Sequence, residues 1–189
     1  MFQSAPAGSV VSMLEARSPC TACRASVVAA LGGHVVAQGP NGRRTIPIDD
    51  LVSGPFQTVL AYDEIAVEAV IPAPTGIPDG GYLKLERRVG DFATVGVAVA
   101  VERSGESIVR AGIAMTGVGG STINAVDAAA ALEGGPLTAS AIERAAELAA
   151  AAARPRTDHR GSAAYKRHIV HTFVVRILNR VRQSSERAA

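Results

Sequence analysis

The order of periodic segments predicts an α+β chain, because extended segments come first, helical ones come last, and the two do not alternate. Three observations carry this reading. Residues 34–48 alternate in polarity on either side of Gly39-Pro40-Asn41-Gly42, a strong hairpin signal. Residues 82–115 hold three extended runs broken at Val89-Gly90-Asp91 and Ser104-Gly105-Glu106. From Ile123 onward three helical patterns follow, the last of them long and amphipathic. With 189 residues, the chain has room for one large or two small cores. Hydrophobic residues make up 48% and charged ones 19%, which excludes a disordered chain. Trp is absent, so the core must be built from Ala, Val, Leu and Ile.

Met1 to Arg17 has no clear period. Cys20 to Leu31 reads as a helix that starts after Ser18-Pro19 and is closed by Gly32-Gly33. His34 to Gln38 and Arg43 to Ile48 are the paired strands of the hairpin, and Ile48 to Leu51 is a short turn or helix. Ile65 to Ile71 reads as a strand. Pro72 to Gly81 then holds three prolines and three glycines and marks a domain boundary. The expected division is a first unit at 1–76, a second at 77–183 and a tail at 184–189.

In the second unit Tyr82 to Arg88, Thr94 to Arg103 and Ile108 to Met115 form a small antiparallel meander, with Thr94 onward starting helically before it extends. Ile123 to Leu132, Ala139 to Ala153 and Ser162 to Arg182 are the helices. Thr138 or Ser140 caps the second of these, and Glu143 three residues after Ser140 has the spacing of a capping box.

Charge is unevenly spread. From Arg154 onward nine Lys/Arg face only Asp158 and Glu186, a balance of +7, whereas residues 1–153 hold ten against fifteen, a balance of −5. The basic residues interleave with Ile169, Val170, Phe173, Val174, Ile177 and Leu178, so they form the wet side of an amphipathic helix rather than a nucleic-acid surface. No run reaches the length of a membrane span and no secretory signal is evident, so a cytoplasmic location is expected. Cys20 and Cys23 have C-x-x-C spacing, but a zinc site needs a second ligand pair and no other cysteine exists. They read as incidental helix cysteines. His168 and His171 lie three apart on a helix, with nothing to place them near the cysteines.

The run Gly81 to Ala100 concentrates the chemistry: a lysine, a double arginine, a Gly-Asp turn and the aromatic Phe92. Asp91 can accept an orphan backbone N–H of that turn. A cation and an aromatic side by side suit an anionic cofactor with a flat ring, although a plain strand-turn-strand is the simpler reading of the spacing. Thr116-Gly117-Val118-Gly119-Gly120-Ser121 lacks the Lys-Ser/Thr ending of a nucleotide loop and reads as a packing turn.

The same run resembles the opening of the C-terminal domain in the FAD-carrying medium subunit of molybdenum hydroxylases, especially the aerobic carbon monoxide dehydrogenase type and the related xanthine dehydrogenase FAD-binding subunits. Gly39 to Pro47, Gly54-Pro55-Phe56-Gln57-Thr58, Glu64-Ile65, Val70-Ile71-Pro72, Thr116-Gly117-Val118-Gly119 and Tyr165-Lys166-Arg167-His168 fit that family in order. The resemblance implies FAD as cofactor, with Lys84 close to the flavin and Phe92 beside its ring. Asp91, Ile65 and Ala66 join them as cofactor-binding positions, with Ala66 smaller than the family's usual residue. It implies no catalytic or metal-ligating residue on this chain. As partners it implies a large molybdopterin-binding subunit and a small 2Fe-2S subunit, with no nucleic acid.

The family's two glycine-rich phosphate loops are the point of departure. A segment like A-G-G-x-S is missing, and the T-I-G-G-N/S-L loop falls on Ser9 to Leu14, where Val11 and Ser12 replace both glycines. The expectation is therefore a truncated member: a remnant of the second FAD-binding subdomain, then a three-stranded antiparallel sheet with a three-helix bundle. Its expected role is an electron-transfer subunit of an oxidoreductase. The alternative is a flavin-free module that only docks onto partner subunits.

Overall fold

In the computed structural model the described residues are 9–11, 21–55, 57–88 and 90–188. The first lobe comprises β1 (Ser9–Val11), α1 (Thr21–Ala30), β2 (His34–Gly39), β3 (Gly42–Pro47), α2 (Ile48–Leu51), β4 (Val52–Gly54), β5 (Gln57–Thr58) and β6 (Ile65–Ile71). Its main sheet is antiparallel in the order β1-β6-β2-β3, and β4 and β5 form a separate small ladder. The hairpin turns where the sequence places it, with Gly39 paired to Gly42 and Gly42 at φ 107°.

The second lobe comprises β7 (Ile77–Leu85), β8 (Val95–Ser104), β9 (Ser107–Thr116), β10 (Ile123–Asn124), α3 (Val126–Ala130), α4 (Ala139–Ala152) and α5 (Ala163–Ala188). Its sheet runs β10-β9-β8-β7, antiparallel throughout. Val170, Val174, Ile177, Leu178 and Val181 recur at helical spacing on α5 and are all buried. They pack with Ile142, Ala145, Ala146 and Ala149 of α4 against one face of the sheet. The opposite face receives α1: Ala98 and Ala114 share a core with Ala25, Val28 and Ala29, and with Val35, Ile46 and Leu51 of the first lobe. The second sheet is thus covered on both faces.

The α+β class holds, with four corrections of detail. The second sheet has four strands rather than three, because Ile123 and Asn124 pair with Met115 and Ala114 before the helix begins. Thr94 onward has no helical start; Val95 is already paired with Leu85. Strand β7 begins at Ile77, inside the Pro/Gly-rich stretch, and ends at Leu85 rather than Arg88. It lies at the sheet edge, where Pro78 costs no essential ladder bond. Finally, Thr138 alone caps α4, accepting from the Ala141 amide at 3.2 Å, while Glu143 reaches across to His171 at 2.9 Å. The capping box does not form.

A polar clasp joins the lobes. Glu102, 8% exposed, accepts from the Thr75 amide (2.9 Å), the Thr75 hydroxyl (3.0 Å) and Arg110 Nη1 (2.8 Å). Arg110 Nη2 donates to the Leu31 carbonyl just past α1 at 2.7 Å. Burial pushes the Glu102 carboxyl up, but Thr75 and Arg110 outweigh it and hold the group below its ordinary value. No helix among the described residues is long and apolar enough to cross a membrane.

Candidate functional site

A cleft of about 720 Å³ opens between the first lobe and the turns at one end of the second sheet. Val28, Val35, Ile48 and Leu51 make its floor, and Gly54, Pro55, Gln57 and Thr58 make the rim on the first lobe. The facing wall is Phe92-Ala93, the loop after β9 and Arg160. Apolar lining with a few polar groups at the edge is the usual make-up of a small-molecule site.

The loop after β9 divides by residue. Gly117 sits at φ 79°, and a Cβ there would lie 2.8 Å from the Ala93 and Thr94 carbonyl oxygens, so its glycine is a packing requirement. Val118 is fully buried in the bundle core, and its carbonyl accepts from the Arg154 amide at 2.8 Å. Gly119 and Gly120 line the cleft, and a Cβ on Gly120 would meet nothing within 4 Å. The expected packing turn is present in the first half of the loop; the second half belongs to the cleft wall.

Among the five residues expected at a cofactor, Phe92 lines the cleft and is 55% exposed. Asp91 stands beside it on the outer side of the turn. Its carboxylate accepts from the Phe92 amide at 2.7 Å and from Arg160 Nη2 at 3.3 Å. The Phe92 N–H holds that carboxyl below its ordinary value; burial opposes this, and Arg160 and Arg87 add to the lowering. Lys84 donates to the Asp91 carbonyl at 2.6 Å and pairs with Glu86, so its ammonium is engaged by the turn and does not line the cleft. Ile65 and Ala66 lie on β6 opposite Gln38 and Ala37 and are not among the lining residues. Ile65 is 69% exposed, and Ala66 packs against the first-lobe core. The structure thus gathers Lys84, Asp91 and Phe92 into one turn and leaves Ile65 and Ala66 apart from it.

Of the segment expected to match the second phosphate loop, Ser9–Val11 forms β1, paired with β6 from Ser9↔Ile71 to Val11↔Ala69, and 12–14 lie outside the described residues. Cys20 also lies outside them; Cys23, on α1, is buried. No group of three or more His, Cys, Asp or Glu among the described residues is arranged to hold a metal.

A family model described as the CO dehydrogenase flavoprotein C-terminal domain matches residues 81–181, which run from β7 to the last apolar turn of α5. The chain belongs to this family. The chain is 37% identical over 150 residues to the carbon monoxide dehydrogenase medium chain of Hydrogenophaga pseudoflava, covering 79% of this chain and 52% of that one. It is also 37% identical over 153 residues to the nicotine 6-hydroxylase medium subunit of Paenarthrobacter nicotinovorans, covering 80% and 53%. A solved carbon monoxide dehydrogenase from Hydrogenophaga pseudoflava, one lacking the Mo-pyranopterin moiety of its molybdenum cofactor, superposes with a TM-score of 0.77 at 39% identity. It covers 82% of this chain and 54% of that one. The chain spans about half the length of the curated relatives it matches. The resemblance carried by the sequence is therefore correct at the level of family.

Two contributors to the wall were not singled out from sequence. The Gly119-Gly120 half of the loop was read only as packing. Arg160, one of nine basic residues in the last segment, offers no local signal that sets it apart.

Proposed function

We propose that this chain forms the ring-binding wall of FAD in the medium subunit of a CO dehydrogenase-type molybdenum hydroxylase. The observation that carries this reading is Phe92, an aromatic on a cleft wall that faces an apolar floor of Val28, Val35, Ile48 and Leu51. A flat ring needs an apolar slot with an aromatic neighbour, and these residues fit one. Gly119, Gly120 and Arg160 edge the same slot with backbone close at hand, and Arg24 is a second cation in its lining. When bound, FAD supplies the electron-carrying chemistry. The chain's part is to bind and orient it and to keep water from one side of the ring. In this reading electrons arrive from a small iron-sulfur subunit, with substrate oxidised on a large molybdopterin subunit.

The phosphate side is weaker. Ser9–Val11 is held as an edge strand on β6 with Val11 where the family's loop has glycine, and charge-assisted contacts of phosphate to N–H groups are worth about 1.5–3 kcal/mol each. Affinity for FAD is expected to be low. Titration of FAD with the purified chain, followed by quenching of flavin fluorescence, tests the reading: saturable quenching that Phe92→Ala weakens supports it. The β1–β6 pairing favours the second reading, a docking module without flavin. Absence of any quenching up to high protein concentration would establish that one instead.

A further inference from the structure

Two arginines line the cleft, and they reach it from different lobes. On α1, Arg24 stands four residues before Val28 and Ala25 three before it, so one face of the helix brings all three to the cleft. Arg160 comes from the segment between α4 and α5. Its Nη1 donates to the Phe92 carbonyl at 2.7 Å and its Nη2 to Asp91 Oδ1 at 3.3 Å. Behind it the Arg160 amide donates to Asp158 Oδ1 at 2.9 Å. Lys166, 3% exposed, holds the other oxygen of Asp158 at 2.7 Å. Among the described residues these contacts use two of the five N–H donors of the Arg160 guanidinium and keep it at the wall.

The balance of charge in the lining is one-sided. Among the described residues it holds no Asp or Glu, while Ser121 and Thr122 add hydroxyl donors. Neighbouring carboxylates stand outside the lining and are engaged: Asp91 by Arg160, and Asp49 on α2 by the Asn124 amide at 3.0 Å. Attraction between charges is stronger beside aliphatic walls than in open water. Two cations, no anion and an apolar floor suit a ligand with an apolar body and a negative group.

We infer that Arg24 and Arg160 make an anion subsite of this cleft, one that takes the phosphate of a flavin nucleotide on side chains. The fork of a guanidinium fits phosphate oxygens two at a time. For the identity of the ligand the inference rests on the flavin reading above; the placement of the two cations does not.

Riboflavin and flavin mononucleotide share one ring and differ by a single phosphate, so the pair isolates the subsite. The full-length chain is titrated with each at low ionic strength, followed by flavin fluorescence. The mononucleotide is expected to bind about tenfold more tightly, the order of one charge-assisted hydrogen bond. Added salt should narrow the gap, and inorganic pyrophosphate should displace the mononucleotide but leave riboflavin bound. Arg24→Gln and Arg160→Gln should each close most of the gap, whereas Arg144→Gln, in an exposed pair with Glu147, should leave it intact. Equal affinity for the two flavins overturns the inference and leaves the ring reading standing; a gap that survives both cleft substitutions overturns it as well. The first comparison is made in the unsubstituted chain, so it decides even if a variant does not melt cooperatively. If neither flavin binds, the flavin reading fails and pyrophosphate alone decides the subsite. A rise in melting temperature that Arg24→Gln removes would then keep it; no rise, or one that Arg24→Gln leaves in place, would overturn it.

Discussion

Along β8, Val95, Val97, Val99 and Val101 point into the helical bundle, while Gly96, Ala98 and Ala100 between them face α1 and the first lobe. Strand β9 repeats the division, with Ile113 and Met115 on the bundle side and Gly112 and Ala114 on the other. Large side chains fill volume on one face; small ones let backbones approach on the other. A Cβ on Gly112 would collide with the Ala30 carbonyl oxygen. The bundle face accordingly stabilises through buried apolar area. The α1 face gains less from area and relies on close fit, closed at its edge by the Thr75–Glu102–Arg110–Leu31 clasp. The cleft lies on this second, thinner side: its floor includes Val28 of α1.

If the faces differ in this way, substitutions should separate them. Leu178→Ala empties a fully buried bundle position and is expected to cost about 2–5 kcal/mol in urea unfolding, with the whole chain losing stability. A loss below about 1 kcal/mol would mean that the bundle is not the main source of stability. Gly112→Ala should cost about 1–3 kcal/mol by forcing α1 off the sheet. Hydrogen exchange ought to show faster amides in α1 with α4 and α5 unchanged; equal acceleration in all three would erase the distinction.

The clasp sharpens the comparison through pH. Because the folded chain holds the Glu102 carboxyl below its ordinary value, the unfolded chain binds more protons, and stability rises with pH across that range. The contribution is complete above the ordinary glutamate value and is lost as pH falls through the lowered one. Glu102→Gln is expected to cost about 1–2 kcal/mol at neutral pH and nothing once acid has protonated the parent. Parallel pH–stability curves for the two chains would exclude the clasp as the source. At the far end of the bundle, Thr138→Ala should cost about 1 kcal/mol, the ordinary value of an N-cap. The melting temperature should fall without any change in FAD titration.

The hairpin, α4 and α5 were legible because their signals are local: a Gly-Pro-Asn-Gly turn, and apolar residues at helical spacing. Strand β10 was not, since two residues have no period, and only pairing with Met115 and Ala114 makes them a strand. Pro78 misled in the same way; it reads as a breaker until the strand is known to lie at an edge. Glu143 has the local spacing of a capping box, yet its partner His171 lies 28 residues on. The site follows this pattern. Lys84 and Phe92 were named around one turn, where local residues and resemblance both pointed, while the Arg160 that bonds the Phe92 carbonyl is 68 residues away in sequence. Ile65 and Ala66 were carried over by resemblance alone, and nothing local in their sequence bears on whether they line this cleft, whose lining does not include them.

Among the described residues strand β3 is at one edge of the first sheet, the kind of rail on which another chain can add a strand. Its consecutive Arg43 and Arg44 point to opposite faces of that sheet. Each is tethered inward, Arg43 to Glu68 at 3.1 Å and Arg44 to Glu64 at 2.6 Å. The Arg44 side chain, foremost through its hydrogen bond, draws the Glu64 carboxyl down to about 2, so this pair stays charged through mild acid. A strand arriving along β3 would have to strip water from charges above and below it at once. The hairpin therefore opposes the disordered, sheet-extending form of self-association along this edge.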